Sequence, residues 1–282
     1  MLTARVPEGV DDEIAAVLGD GSLGVEVASS GPGMSEVRIY LTEADVVASW
    51  RERAMRVLAA HGLTAEEAGL AIDPVVDGRW VERWQASLAP LPLGARFVVL
   101  PAGPALPQEG REAIRLVPGM AFGTGEHPTT RMAAAWVERQ VTPGSRWLDL
   151  GTGTGLLAVI AARCGAARVL AVDLDPEAAR VALEVVAANG AAGIVEVRAG
   201  SIELRGDETF DGIVANIQSS FFLASAGLIA DALKPGGVLV ASGFLDEDVV
   251  EVAAALASSG IDLVARTDEG PWVCALARRR SA

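Results

Sequence analysis

The run Trp147-Leu148-Asp149-Leu150-Gly151-Thr152-Gly153-Thr154-Gly155 joins a strand-like stretch to a helix-like one and carries three glycines at alternate positions. Glycine removes the side chain, so a ligand can lie directly against the backbone. The helix that follows turns free N–H groups and the positive end of its dipole toward whatever binds there. Asp173 closes the next strand-like stretch, 22 residues beyond Gly151. A carboxylate at that distance can accept both hydroxyls of a ribose. Together these residues point to a nucleoside-containing cofactor held by Gly151, Gly153 and Asp173. The bland alternative is a strand–turn–helix corner that merely needs glycine.

The spacing of the glycines bears on which cofactor. Dinucleotide enzymes use G-x-G-x-x-G, which leaves room for a pyrophosphate, and that disfavours an NAD-dependent dehydrogenase here. The G-x-G-x-G found in this chain, preceded by Asp149, resembles class I S-adenosyl-L-methionine-dependent methyltransferases. Their ligand has a carboxylate, an amine and a sulfonium but no phosphate. Leu233-Lys234-Pro235-Gly236-Gly237 and a closing hairpin around Asp268-Glu269-Gly270-Pro271 are similar to that superfamily too. No metal is expected: Cys164 and Cys274 are the only cysteines, too few for a metal cage or a disulfide framework.

The elements that must position these residues follow from periodicity. From Pro118 onward strands and helices alternate. Strands are expected over 146–150, 168–173, 194–198, 211–216 and 237–242, and helices over 128–140, 156–164, 176–188, 219–233 and 247–258. Such alternation implies a Rossmann-like parallel sheet covered on both faces. Ile261 to Arg266 and Trp272 to Ala277 read as an antiparallel final hairpin. Phe97 to Leu100 and Ile114 to Val117 are further strands. The first 75 residues read as βαββαβ, the ferredoxin-like α+β pattern, with strands at 2–6, near Leu23 to Val27 and Val37 to Leu41, and at 69–72. Helices there fit Asp11 to Leu18 and a segment opened by a capping box, Thr42-Glu43-Ala44-Asp45. Trp80 and Trp84 lie four apart on a short linker helix that Pro90-Leu91-Pro92 ends.

Pro118-Gly119-Met120-Ala121-Phe122-Gly123-Thr124-Gly125-Glu126-His127-Pro128-Thr129-Thr130 narrows the reading further. With Trp80-Val81-Glu82-Arg83-Trp84, Asn216-Ile217 and Gly270-Pro271-Trp272-Val273, it resembles the ribosomal protein L-eleven methyltransferase family from about Asp77 to the C-terminus. The resemblance implies a substrate-recognition domain at 1–75, a mobile linker at 76–93 and a methyltransferase domain at 94–282. It implies transfer of methyl groups to lysine ε-amines and the N-terminal α-amine of large-subunit ribosomal protein eleven. It also puts cofactor contacts on Thr130, Gly151, Asp173 and Asn216. Thr130 could hold the methionine end of the cofactor or only cap a helix. The Asn216 amide could donate to the methionine carboxylate, accept from an incoming amine, or merely form a turn. Phe122 either lines the methyl-transfer pocket, where an aromatic face favours a sulfonium, or plugs the core. Gln85 stands where related sequences often carry lysine, which puts any electrostatic role there in doubt.

Methyl transfer to nitrogen asks mainly for alignment of amine, methyl and sulfur, so no obligatory catalytic acid or base is expected. His127 is a possible proton acceptor, and Glu126 is its neighbour, but a lone histidine beside proline at a helix start is more often structural. Composition agrees with a protein substrate. The chain of 282 residues carries a net charge of −14, against the basic field of a general nucleic-acid binder. Nearly all its positive charge is arginine, with Lys234 the single lysine. It lacks an apolar run long enough to span a membrane, and Met1 to Glu8 has no signal-peptide core. A cytoplasmic monomer is expected. A methyltransferase of the same fold acting on another protein, RNA or a small-molecule amine is the competing reading.

Overall fold

Alternating apolar residues at Leu2, Ala4 and Val6, and at Val37 and Ile39, are fully or nearly fully buried, the mark of strands packed on one face. A computed structural model describes residues 2–19, 24–40, 47–72, 90–100, 110–116 and 123–281. The chain divides into two units, Met1–Glu82 and Arg83–Ala282. In the first, β1 (Leu2–Pro7), β2 (Gly24–Gly31), β3 (Met34–Tyr40) and β4 (Ala71–Ile72) form an antiparallel sheet in the order β2-β3-β1-β4. Helices α1 (Val10–Gly19) and α2 (Val47–Ala60) supply Ile14, Trp50, Ala54, Val57 and Leu58 to its core. This is the βαββαβ order read from the sequence. The capping box at 42–45 and the linker helix with Trp80, Trp84 and Gln85 lie outside the described residues.

The second unit begins with a small sheet of β5 (Leu91–Leu93), β6 (Phe97–Leu100) and β7 (Glu112–Arg115). Pro90-Leu91-Pro92 was expected only to stop a helix; instead Leu91–Leu93 pairs with Phe97–Val99. Proline is tolerated there because β5 is an edge strand. β7 starts two residues before the expected Ile114, set by its parallel register with β6 from Phe97↔Glu112 onward.

The main sheet contains β8 (Arg146–Leu150), β9 (Arg168–Asp173), β10 (Val195–Ala199), β11 (Phe210–Asn216), β12 (Leu233–Leu245), β13 (Ile261–Glu269) and β14 (Trp272–Arg279). Its order is β10-β9-β8-β11-β12-β14-β13, parallel throughout except for β14, which runs against both neighbours. Helices α3 (Pro128–Gln140), α4 (Leu156–Arg163) and α5 (Pro176–Ala188) pack on one face. Helices α6 (Ser219–Ala232) and α7 (Val249–Ser258) pack on the other. Alternation along β8 sends Trp147 to the first core and Leu148 and Leu150 to the second. Strand β12 is longer than expected: Lys234 to Gly237 forms an irregular stretch inside it, between the pairs Phe210↔Leu233 and Gly212↔Val238. Among the described residues, no helix is long and apolar enough to cross a membrane.

One glycine in β11 shows how tightly these strands fit. A Cβ on Gly212 would stand 2.4 Å from Trp147 Cζ2, on a fully enclosed ring. Gly212→Ala is expected to lower unfolding free energy by about 1–3 kcal/mol through overpacking. Urea denaturation followed by tryptophan fluorescence measures this, and an unchanged midpoint would contradict it.

Candidate functional site

Strand β8 ends at Leu150, and the chain turns through Gly151, Gly153 and Gly155, all at positive φ, into α4. Gly155 is itself the N-cap and makes no side-chain cap bond. Close approach also demands glycine at 151, but for a reason invisible in the sequence. A Cβ there would lie 2.8 Å from Ile217 Cγ1, where the chain leaves β11.

Asp173 closes β9 beside this loop. One carboxylate oxygen accepts from the Gly153 N–H at 2.8 Å and the other from the Asp175 N–H at 3.0 Å. Each oxygen keeps a further lone pair, so the carboxylate is pinned in place and still able to accept. Across the sheet's switch point, between β8 and β11, Asn216 ends β11. Its Nδ2 donates to Thr130 Oγ1 at 3.2 Å, while its Oδ1 is buried without a hydrogen-bond partner. Thr130 is itself buried in the first turn of α3. The structure thus brings together Thr130 and Asn216, and separately Gly151, Gly153 and Asp173, all at the C-terminal ends of the strands. Phe122 lies outside the described residues.

His127 is the N-cap of α3. Its Nδ1 accepts from the Thr129 N–H at 3.4 Å and lies 2.7 Å from Thr129 Oγ1, and its ring meets Trp272 edge-on. Burial, reinforced by Arg131, pushes its pKa down to about 4, with Glu269 partly opposing. The ring is therefore neutral at pH 7 and its Nδ1 lone pair is engaged in capping. This is the geometry of a helix cap at the start of α3.

Sequence reasoning gave no individual role to three residues. Asp149, fully buried under α4, accepts from Thr152 Oγ1 at 2.7 Å. Burial pushes its carboxyl up to about 7; the Thr152 hydroxyl and the Ala158 N–H oppose this and the Asp173 charge adds to it. Its place before the glycine loop was the available signal. Thr154, inside the glycine run, donates to the Gly123 carbonyl at 2.7 Å and so ties the 123–127 loop to the glycine loop. Ser242, buried at the β12 position paired with Asn216, donates toward the carbonyls of Thr129 and Val273. Nothing local marks a single strand serine for that task.

The donor set fits S-adenosyl-L-methionine. A carboxylate with spare lone pairs suits a ribose diol, and a buried hydroxyl–carboxamide pair suits an amino-acid end. The glycine run carries no cationic side chain for a pyrophosphate. Among the described residues, no group of three or more His, Cys, Asp or Glu could hold a metal ion.

The reversed penultimate strand, the glycine corner after β8 and the acid ending β9 define a class I methyltransferase fold. A family-wide profile described as ribosomal protein L11 methyltransferase (PrmA) matches residues 23–280, and the chain belongs to that family. It is 38% identical over 258 residues to the ribosomal protein L11 methyltransferase of Pelotomaculum thermopropionicum, covering 91% of this chain and 83% of the relative. The Chloroflexus aurantiacus ribosomal protein L11 methyltransferase is 41% identical over 225 residues, 71% of this chain and 69% of the relative. The crystal structure of a ribosomal protein L11 methylase from Lactobacillus delbrueckii subsp. bulgaricus aligns with a TM-score of 0.62 at 29% identity. That alignment covers 68% of this chain and all of the other.

The buried acid has a measurable signature. A carboxyl whose pKa is raised by folding binds its proton more tightly in the native state, so its contribution falls as pH rises from about 4 to about 7. His127 tilts the other way, since its lowered pKa makes stability rise between about 4 and 6.5. Asp149→Asn keeps the His127 slope and removes the first. Its unfolding free energy relative to wild type is therefore expected to increase from pH ~4.5 to pH ~7.5 in denaturation titrations. A difference independent of pH would contradict the buried, proton-holding state.

Proposed function

We propose that this chain transfers methyl groups from S-adenosyl-L-methionine to nitrogen atoms of ribosomal protein L11, namely lysine ε-amines and the N-terminal α-amine. Family membership supports the substrate, and the buried, unpartnered Asn216 Oδ1 supports the chemistry. When bound, the cofactor supplies an electrophilic methyl group on a sulfonium.

Asp173 holds the ribose hydroxyls, the Gly151 and Gly153 backbones admit the ligand closely, and the Thr130 hydroxyl faces the methionine end. One N–H of the Asn216 Nδ2 goes to Thr130, and Oδ1 is the atom left without a partner, open to accept. An incoming amine N–H satisfies that acceptor and is turned so that its lone pair faces the methyl group. The amine must arrive neutral, against a free lysine pKa of about 10.4, and desolvation at the pocket lowers that value so that the ammonium gives its proton to bulk water before it enters. No residue of the chain is an obligatory acid or base, and His127 caps α3.

Residues 1–75 bind the substrate protein, 76–93 connect, and 94–282 carry out transfer. An excess of acidic side chains, net −14, attracts a basic ribosomal protein in a manner that salt screens. The enzyme works as a monomer in the cytoplasm, where its substrate is made.

Labelled S-adenosyl-L-methionine incubated with ribosomal extract tests this: label is expected on protein L11, and label on RNA alone would overturn the assignment. Asp173→Asn is expected to weaken cofactor binding by about tenfold, the worth of a charged hydrogen-bond acceptor. Asn216→Ala is expected to lower kcat by about a hundredfold, with a smaller change in cofactor affinity, because orientation is what it supplies.

A further inference from the structure

Gly270-Pro271-Trp272-Val273 takes no part in the chemistry above, yet the hairpin end that contains it lies against the start of α3. The Trp272 ring meets His127 with centroids 4.6 Å apart and planes at 74°. One turn along α3, Arg131 pairs with Glu269 of the same hairpin and also donates to the Glu126 carbonyl. Between these contacts, the buried Ser242 hydroxyl lies 3.1 Å from the Val273 carbonyl and 3.3 Å from the Thr129 carbonyl. The Pro271 carbonyl accepts from the Asp246 N–H at 3.0 Å, which ties the turn to the end of β12. Residues 126–131 are thus gripped on both sides of Thr130, whose hydroxyl takes the Asn216 amide.

We propose that the tip of the β13–β14 hairpin is a positioning clamp for methyl transfer, with Trp272 and Glu269 as positioning residues that set Thr130 and, through it, Asn216. The proposal rests on the methyl-transfer reading of Thr130 and Asn216 given above. Neither Trp272 nor Glu269 touches the reacting atoms. Each acts through the backbone of the α3 N-terminus, where a displacement of about 1 Å can lower a rate by about a hundredfold. The grip combines a ring contact, an ion pair and a shared hydroxyl, so it fixes both the direction and the depth of that helix start.

The test uses the full chain with Trp272→Ala, Trp272→Phe, Glu269→Gln and Thr267→Val. The last removes the hairpin's bond to Trp136, farther along α3. Three readouts are needed: S-adenosyl-L-methionine affinity by calorimetry, kcat and KM for purified ribosomal protein L11, and Tm. Trp272→Ala is expected to lower kcat by about tenfold or more and to weaken cofactor binding several-fold, with KM for the protein substrate unchanged. Trp272→Phe recovers most of the turnover, Glu269→Gln gives a smaller loss of the same kind, and Thr267→Val matches wild type. A lowered Tm with kcat and cofactor affinity unchanged per folded molecule would overturn the clamp. If Trp272→Ala fails to fold, Glu269→Gln, on a half-exposed ion pair, decides by the same readouts. Should wild type bind cofactor but label no ribosomal protein L11, the substrate assignment falls alone. The affinity ratio of Trp272→Ala to wild type then decides the clamp, and a ratio near one overturns it.

Discussion

The hydrogen bond from Asn216 to Thr130 joins two pieces of chain, 86 residues apart, across the switch point of the sheet. Much of the surrounding structure serves to hold its two ends. On the β11 side, the Ile217 N–H donates to the Ser242 carbonyl at 2.9 Å, and Ile217 then fills the space a Cβ on Gly151 would need. Gly243 is constrained by the same residue, since its Cβ would stand 2.6 Å from the Ile217 carbonyl oxygen. On the α3 side, the His127 cap and the Ser242 hydroxyl fix the backbone on which Thr130 sits. Fixing the donor of the carboxamide leaves its acceptor buried and unmatched. A group left in that condition costs about 1–3 kcal/mol, an amount a ligand N–H recovers on binding.

Charge is arranged around this centre rather than in it. Arg168 bridges Glu208 and Glu196 at 2.9 and 2.8 Å, and Arg146 pairs with Glu208, at the starts of β8 and β9. Those pairs sit at the far end of the strands from the glycine loop, are partly exposed, and contribute little each. At the loop end, Arg131 is engaged by Glu269 and His127 is held neutral. Burial raises the Asp149 carboxyl to about 7, so it carries less than a full charge at neutral pH. The site is thus built chiefly of uncharged polar groups around one pinned carboxylate, Asp173, an environment compatible with a cationic ligand and a neutral amine.

Much of this was legible in the sequence. Regular alternation of apolar runs with helices, two of them started by proline, gave the succession of strands and helices in the second unit, because the central strands β8, β9, β11 and β12 are largely buried on both faces. The glycine corner and Asp173 stand where the sequence put them, at the ends of β8 and β9, and the positive φ of Gly151, Gly153 and Gly155 is a local backbone demand that sequence can show. What escaped depended on tertiary pairing. Strand β5 was hidden by its prolines, which only an edge position permits. Ser242 meets Thr129 from 113 residues away, and no local pattern marks that encounter. The demand for glycine at 151 reads as room for a ligand until Ile217 is seen beside it. Asp149 reads as part of a motif, and only its complete burial reveals a carboxyl that holds its proton near neutrality.

The most direct measurement is a high-resolution crystal structure of the chain with S-adenosylhomocysteine, in which the Asn216 carboxamide can be oriented by its partners. The Thr130–Asn216 bond should persist, with Oδ1 facing the space where an amine would approach and Asp173 on the ribose hydroxyls. A ligand-bound structure in which Asn216 has left Thr130 and donates Nδ2 to the ligand carboxylate would contradict the orienting role assigned to that pair.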